Sequence, residues 1–162
     1  MNIICMKWGD KFPAEYVNRL YAMVARNFSS EFRFVCFTEN SNGIRNEVEI
    51  QNLPKLNLPP NIPERGWRKL TVFKKDFGGL EGKTLFLDLD VVIVGSLNEF
   101  STHPGEFLIA HDKKNPTKIE GNSSVFRFEI GQYPQILDYF EQNSELIRAE
   151  VRHEQAYLSR EM

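Results

Sequence analysis

Residues 84–94, TLFLDLDVVIV, constrain the fold more than any other stretch of the sequence. After Thr84 the run is aliphatic and aromatic, as in a strand buried on both faces of a sheet, except for Asp88 and Asp90. Side chains two residues apart in a strand point to one side, so these two carboxylates share a face and repel each other. Unless one is protonated, the pair needs an exposed strand end or a neutralising cation.

A hard divalent cation that carries a diphosphate is a natural neutraliser for these carboxylates. Mn²⁺ and Mg²⁺ prefer oxygen ligands and bridge phosphates to one or two carboxylates. Most isolated Asp-x-Asp pairs are solvated turns, but an unpaired buried charge is costly, and the apolar surroundings here favour a function. We therefore predict that Asp88 and Asp90 bind Mn²⁺ or Mg²⁺.

Length and charge limit the classes of protein to consider. A chain of 162 residues fits one domain that buries about 70% of its unfolded surface. The formal net charge is -2 and no stretch concentrates Lys and Arg, so nucleic acid is not an expected partner. The apolar segment at the N-terminus is too short for a signal peptide, and nowhere do 18 apolar residues run together, so we expect a cytoplasmic protein. Peripheral membrane association stays open.

Strand-like and helix-like patterns alternate along the chain and predict an α/β fold with a mostly parallel sheet flanked by helices. Strands are predicted at residues 2–6, 32–37, 48–50, 84–94, 106–110 and 123–128. Helices are predicted at residues 13–28, 67–77, 97–100, 133–147 and 151–162. The loops are residues 51–66, which either cover a site or merely connect elements, and residues 113–121. Ligands bind such sheets at the carboxyl ends of strands. The two Asp would lie at such an end if residues 85–87 form the central strand and residues 91–94 continue as an edge or crossing segment.

The Asp motif and its surroundings resemble nucleotide-sugar-dependent glycosyltransferases of the GT-A fold. Asp88-Leu89-Asp90 is preceded by Gly66-Trp67-Arg68-Lys69-Leu70 and followed by the apolar residues 91–94 and Gly95-Ser96-Leu97. The chain is most similar to bacterial relatives of glycosyltransferase family 8, the group of glycogenin and the lipopolysaccharide galactosyltransferases. Further motifs occur in the expected order: Lys7-Trp8-Gly9, Tyr16-Val17-Asn18-Arg19-Leu20, Cys36-Phe37-Thr38, Asn122-Ser123-Ser124-Val125 and Glu154-Gln155. The resemblance implies one GT-A-like domain over residues 1–162.

The resemblance also implies which residues bind the nucleotide of a UDP-sugar donor. The loop formed by Lys7, Trp8 and Gly9 would approach the uridine, and Tyr16 would stack on the base unless it only begins the helix. Lys69 or its neighbour Arg68 would face the nucleotide or its phosphates, although both also suit exposed helix positions.

Other residues match positions near the diphosphate and the sugar. Asp88 and Asp90 would hold the metal and diphosphate, with Asp88 also near the ribose. Asn122 and Ser123 match the place where family members contact the sugar or the acceptor, or else form a turn before a strand. Glu154-Gln155 stands where relatives carry Asp-Gln beside the reacting sugar, and Glu154 would stabilise the sugar cation; the alternative is the start of a surface helix.

One departure from the family pattern concerns the third metal ligand. Family members supply a His and a diphosphate-binding Lys from a segment well past the Asp-Gln motif, whereas this sequence ends at Met162 and His103 and His111 are not at that position. The chain is therefore expected to be truncated, to belong to a different branch, or to bind its donor with weak turnover.

Two other functions remain open from the sequence. Haloacid-dehalogenase-like phosphatases also carry Asp-x-Asp after an apolar strand, with the first Asp as nucleophile. They begin near that motif and need a downstream Lys and acidic pair, whereas Asp88 lies mid-chain with no Asp-Asp after it. The non-enzyme alternative is a nucleotide-sugar-binding domain with little or no catalytic activity. The donor sugar and the acceptor are not predicted.

Overall fold

The computed structural model describes residues 1–113 and 120–162 and has a six-stranded sheet at its centre. The spatial order is β3-β2-β1-β4-β6-β5. Neighbours among β1 to β4 are parallel, whereas β6 is antiparallel to both β4 and β5, so five strands share one direction and β6 opposes them. The strands are β1 (Asn2–Lys7), β2 (Arg33–Thr38), β3 (Glu49–Gln51), β4 (Lys83–Leu87), β5 (Leu108–His111) and β6 (Gly121–Glu129). The predicted mostly parallel α/β fold is confirmed.

Helices cover both faces of this sheet. They are α1 (Ala14–Asn27), a 3-10 helix (Arg65–Phe73), α2 (Glu99–Thr102), α3 (Pro134–Gln142), α4 (Ser144–Glu150) and α5 (Glu154–Glu161). The α1 face includes Ile3, Cys5 and Leu85, and the opposite face, under the 3-10 helix, α3 and α5, includes Ile4 and Phe86. Alternate strand residues thus fill two separate cores, as the two-residue period of a doubly covered sheet requires.

The apolar run at residues 84–94 is a strand only as far as Leu87, so the predicted strand is too long. The Asp88 backbone N–H still donates to the Ser124 carbonyl at 2.9 Å, but the Val91 N–H turns back to the Asp88 carbonyl at 3.3 Å. Val92 and Val94 are 73% and 94% exposed, so apolar character here does not mark burial. The two Asp therefore follow the end of β4, where Asp88 is partly buried and Asp90 is exposed.

Two helix predictions also need correction. The helix predicted at 133–147 is two helices, because Asn143 leaves helical geometry between α3 and α4, with φ -125° and ψ 25°. The helix predicted at 67–77 is the shorter 3-10 helix. The predicted polar loop at 113–121 lies mostly outside the described residues, and its last residue, Gly121, begins β6.

The proline-rich loop before the 3-10 helix is packed against the body of the protein. Leu56 is buried in the core, and the carboxylate of Glu141 on α3 accepts hydrogen bonds from the backbone and side-chain amides of Asn57, both at 2.9 Å. This fixed position orients the 3-10 helix that follows. In the described part of the chain, no helix is long and apolar enough to cross a membrane.

Candidate active site

A cavity of about 320 Å³ lies at the carboxyl ends of the parallel strands β1 and β4. Four segments form it: the end of β1 with its following loop, the 3-10 helix, the turn after β4 and the start of α5. The lining residues are Met6, Trp8, Lys11, Phe12, Gly66, Lys69, Asp88, Leu89, Asp90 and Glu154. Both predicted metal ligands therefore border one cavity, where the chain direction of the sheet predicts a ligand.

Lys69 is the central charged group of this cavity. It is 5% exposed, and its Nζ donates to Asp88 Oδ2 at 2.9 Å, to the Ser123 carbonyl at 3.0 Å and to Ser123 Oγ at 3.3 Å. Glu154 Oε1 lies 3.3 Å from the same nitrogen. An ammonium has three donors, so protein oxygens satisfy all of them. The sequence motif indicated that Lys69 faces the phosphates but not that it is paired with Asp88.

Glu154 is another acid of the cavity, and it is partly buried. It is the first residue of α5, where a carboxylate interacts favourably with the positive end of a helix. Its Oε1 accepts from Ser123 Oγ at 3.0 Å, and a Cβ added to Gly66 would lie 2.9 Å from its Oε2. A side chain on residue 66 would therefore displace this carboxylate from its present position.

Gln155 does not line the cavity, and two hydrogen bonds hold it behind the residues that do. Its Oε1 accepts from the Ser123 backbone N–H at 3.2 Å, and its Nε2 donates to Asp112 Oδ2 at 2.9 Å. Because one partner is a donor and the other a carboxylate, these two bonds require this amide orientation. Asp112, which the sequence analysis missed, thus orients a predicted catalytic residue from the end of β5.

Aromatic rings form the wall of the cavity on the side of the loop after β1. Trp8 and Phe12 both line it, the Arg68 guanidinium lies 6.0 Å from the Trp8 ring, and Lys11 Nζ lies 4.6 Å from the Phe12 ring. Flat rings beside basic groups suit a nucleobase and its phosphates. Phe12 was missed because no motif marks it, although it lies four residues before Tyr16.

The other predicted donor-binding residues lie near the cavity without lining it. Lys7 has the strand parity of Cys5 and so belongs to the α1 side of the sheet, whereas Met6 reaches the cavity. The Gly9 N–H donates to Glu39 Oε1 at 2.8 Å. Asn122 Oδ1 accepts from the Ser124 N–H at 2.9 Å, which is the turn-forming role considered as its alternative.

Tyr16 lines a second groove of about 390 Å³ between α1 and the turn after β4. This groove also includes Arg19 and Met23, and shares Leu89 and Asp90 with the cavity. The Tyr16 ring packs on the Phe12 ring with 4.9 Å between centroids. Tyr16 thus supports the aromatic wall from behind, and Phe12 presents its ring to the cavity.

The acids of the cavity suit a hard divalent cation only in part. Asp88 and Asp90 offer carboxylate oxygens to one space, which fits Mn²⁺ or Mg²⁺. Within residues 1–113 and 120–162, however, no group of three or more His, Cys, Asp or Glu could hold a metal ion. Water molecules or phosphate oxygens would have to complete the coordination of such an ion.

Comparison with solved structures places the fold among glycosyltransferases. No protein-family model matches the chain, and no curated protein matches its sequence. A crystal structure of the galactosyltransferase LgtC, in complex with donor and acceptor sugar analogs, matches 92% of this chain at TM-score 0.60 and 15% identity. The apo form of the glycosyltransferase GlyE of Streptococcus pneumoniae TIGR4 matches 97% at TM-score 0.63 and 15% identity. The chain spans 64% and 41% of their lengths, and it has the GT-A fold that the sequence predicted.

Proposed function

We propose that this chain is a metal-dependent glycosyltransferase that transfers a sugar from a UDP-sugar to an acceptor hydroxyl. The observation that carries the proposal is the convergence of Asp88, Asp90, Lys69 and Glu154 on one cavity at the carboxyl ends of β1 and β4. The fold adds support, because two structural neighbours of the chain are glycosyltransferases. The aromatic wall made by Trp8 and Phe12 supplies a surface for a base.

Each part of a nucleotide sugar has a matching part of the cavity. The base would stack beside Trp8 and Phe12, and the diphosphate would lie between Lys69 and the two Asp. Held by Asp88 and Asp90, a divalent cation would stabilise the negative charge that develops on the departing diphosphate. Glu154, 3.3 Å from Lys69 Nζ, would face the sugar and stabilise its developing positive charge. The departing phosphate can accept the proton of the attacking hydroxyl, so the chemistry requires no separate base.

The phosphatase alternative receives no support from the site. In such an enzyme Asp88 would be the nucleophile and would need a Lys from downstream in the chain. The Lys that pairs with Asp88 here, Lys69, lies upstream of it, and the fold matches glycosyltransferases. Phosphatase activity on p-nitrophenyl phosphate that is lost in Asp88→Asn would reverse this preference.

The test combines UDP binding with UDP release. We expect calorimetry to show that UDP binds more tightly with Mn²⁺ than without it, and a panel of UDP-sugars to give metal-dependent UDP release. Asp90→Ala should reduce turnover by roughly a hundredfold or more, since it removes a ligand of the charge-stabilising cation. Asp76→Ala is the matched control, because Asp76 is exposed and lies outside the cavity lining.

Two results would contradict the proposal. Absence of UDP binding with and without Mn²⁺ removes the donor site altogether. Metal-dependent UDP binding with no release from any UDP-sugar, even with added acceptor sugars, identifies a nucleotide-sugar-binding domain instead of an enzyme.

A further inference from the structure

One of the two acids that the sequence assigns to a metal, Asp88, already forms an ion pair with Lys69. Lys69 Nζ is bonded to Asp88 Oδ2 at 2.9 Å, while Asp90 lines the same cavity without any ion pair among the described residues. A divalent ion that approaches both carboxylates must therefore share Asp88 with an ammonium. Two cations on one carboxylate repel each other, and this repulsion is strong where burial lowers the dielectric constant.

We propose that Lys69 makes metal binding and donor binding depend on each other, an inference that rests on the proposed function. Lys69 occupies Asp88 while the cavity holds no nucleotide, and the donor diphosphate draws the ammonium away from it. The metal then gains Asp88 as a ligand together with oxygens of the same diphosphate. Lys69 is thus a positioning residue that couples the two ligands.

The contacts of Lys69 allow this exchange at low cost. Its three N–H groups are used by Asp88, the Ser123 carbonyl and Ser123 Oγ, so a phosphate oxygen can replace Asp88 while both bonds to Ser123 persist. Glu154 Oε1, at 3.3 Å, keeps a negative charge beside the ammonium after the exchange. The flexible stem of a Lys side chain permits the small movement that is needed.

The shortage of protein ligands explains why the metal needs this exchange. No group of three or more candidate metal ligands exists among residues 1–113 and 120–162, so Asp90 and a shared Asp88 form a weak site alone. Thermodynamic linkage requires the coupling to be reciprocal, so UDP must raise the affinity for Mn²⁺ by the same factor as Mn²⁺ raises the affinity for UDP.

The test measures Mn²⁺ binding by electron paramagnetic resonance and by calorimetry, without any assay of turnover. In the wild type, UDP should tighten Mn²⁺ binding by about tenfold or more, whereas uridine, which lacks phosphates, should leave it within about twofold. Lys69→Met should bind Mn²⁺ without nucleotide about tenfold more tightly, because Asp88 is released. UDP, whose diphosphate oxygens would still be available to the ion, should then tighten Mn²⁺ binding by a smaller factor than in the wild type.

The matched control is Lys11→Met. Lys11 also borders the cavity, but its Nζ lies over the Phe12 ring and forms no ion pair within the described part of the chain. This variant removes the same charge from the same cavity, so a general electrostatic effect would tighten Mn²⁺ binding in both variants equally. The proposal expects a tenfold change only in Lys69→Met.

Thermal melting adds a readout that a purely structural role would not move. Lys69→Met leaves Asp88 and Glu154 without their ammonium, so the proposal expects Mn²⁺ to raise its melting temperature more than that of the wild type. If Lys69→Met does not fold, Lys69→Gln takes its place in the same Mn²⁺ measurements, because its neutral amide can still donate to Ser123.

Three results would overturn the coupling: Mn²⁺ affinity that is equal with and without UDP, equal effects of UDP and uridine, or equal Mn²⁺ affinities in Lys69→Met and Lys11→Met. UDP binding and release that proceed normally alongside any of these results contradict this inference alone. A protein that binds no UDP at all refutes the proposed function together with it.

Discussion

Gly66→Ala should separate catalysis from stability in this site. The added Cβ lies 2.9 Å from Glu154 Oε2, so the carboxylate must recede by about half an ångström to reach an ordinary contact of 3.4 Å. That movement stretches the 3.0 Å bond from Ser123 Oγ and the 3.3 Å contact with Lys69. Because the clash is with the end of a flexible side chain, the fold can absorb it.

The expected magnitudes follow from these contacts. Weakening one hydrogen bond to a charged group costs about 1.5–3 kcal/mol at most. Replacing Gly by Ala returns about 0.4–1 kcal/mol through the unfolded chain, since the φ of Gly66 is not left-handed. The free energy of unfolding should fall by no more than about 2.6 kcal/mol, the largest cost less the smallest gain. Turnover should fall by roughly tenfold to a hundredfold, because misplacing a catalytic group by a fraction of an ångström to 1 Å has that effect.

The assay compares UDP release and thermal melting in the wild type and in four variants. Gly95→Ala is the control, since its added Cβ has no neighbour within 4 Å and Gly95 has no left-handed φ. In a Glu154→Ala background, Gly66→Ala should cause no further loss of turnover, because the clash has gone. Turnover of Gly66→Ala within twofold of the wild type would refute the role of this close approach.

Two further predictions concern the aromatic wall and an exposed ion pair. Phe12→Ala should weaken UDP binding by about 1–3 kcal/mol through lost stacking, and Tyr16→Ala by less, because Tyr16 lies behind Phe12; calorimetry that ranks Tyr16 first would contradict this assignment. The hydrogen bond from Arg45 lowers the pKa of Glu47 to about 2, so the pair stabilises the fold above the ordinary Glu pKa and loses this effect as the pH falls towards 2. Melting curves of Glu47→Gln should therefore differ from wild type at pH 7 and converge with it at pH 2; a difference unchanged at pH 2 would exclude this linkage.

The sequence predicted most elements of the fold because their apolar periods are long and regular. Its errors lie where the local apolar pattern does not match the burial of the residues. The apolar residues 91–94 continue the pattern of a strand, yet the chain turns at Asp88 and exposes Val92 and Val94. The single helix predicted at 133–147 ends at Asn143, an interruption that the apolar spacing does not show.

The sequence predicted which residues form the site better than it predicted the contacts between them. The Asp motif, Lys69 and the Glu154-Gln155 pair were named from the sequence, and all but Gln155 line one cavity. The bond between Lys69 and Asp88 joins residues 19 positions apart and depends on how the 3-10 helix packs over β4. Long-range contacts of this kind, like the approach of Gly66 to Glu154, have no local sequence pattern.

The reversed strand β6 has a consequence for how this protein can change. Because β6 opposes β4, its first residues lie beside the last residues of β4, and Ser123 joins Lys69 and Glu154 there. Before β6 begins, the Asp112 backbone N–H donates to the Glu120 carbonyl at 2.7 Å, and Gln155 links Asp112 to the Ser123 backbone N–H. A change that shifts β6 by one residue against β4 would turn Ser123 to the other face of the sheet and remove its contacts with Lys69 and Glu154, so the register of this antiparallel pair must be kept for the cavity to keep its charged groups in place.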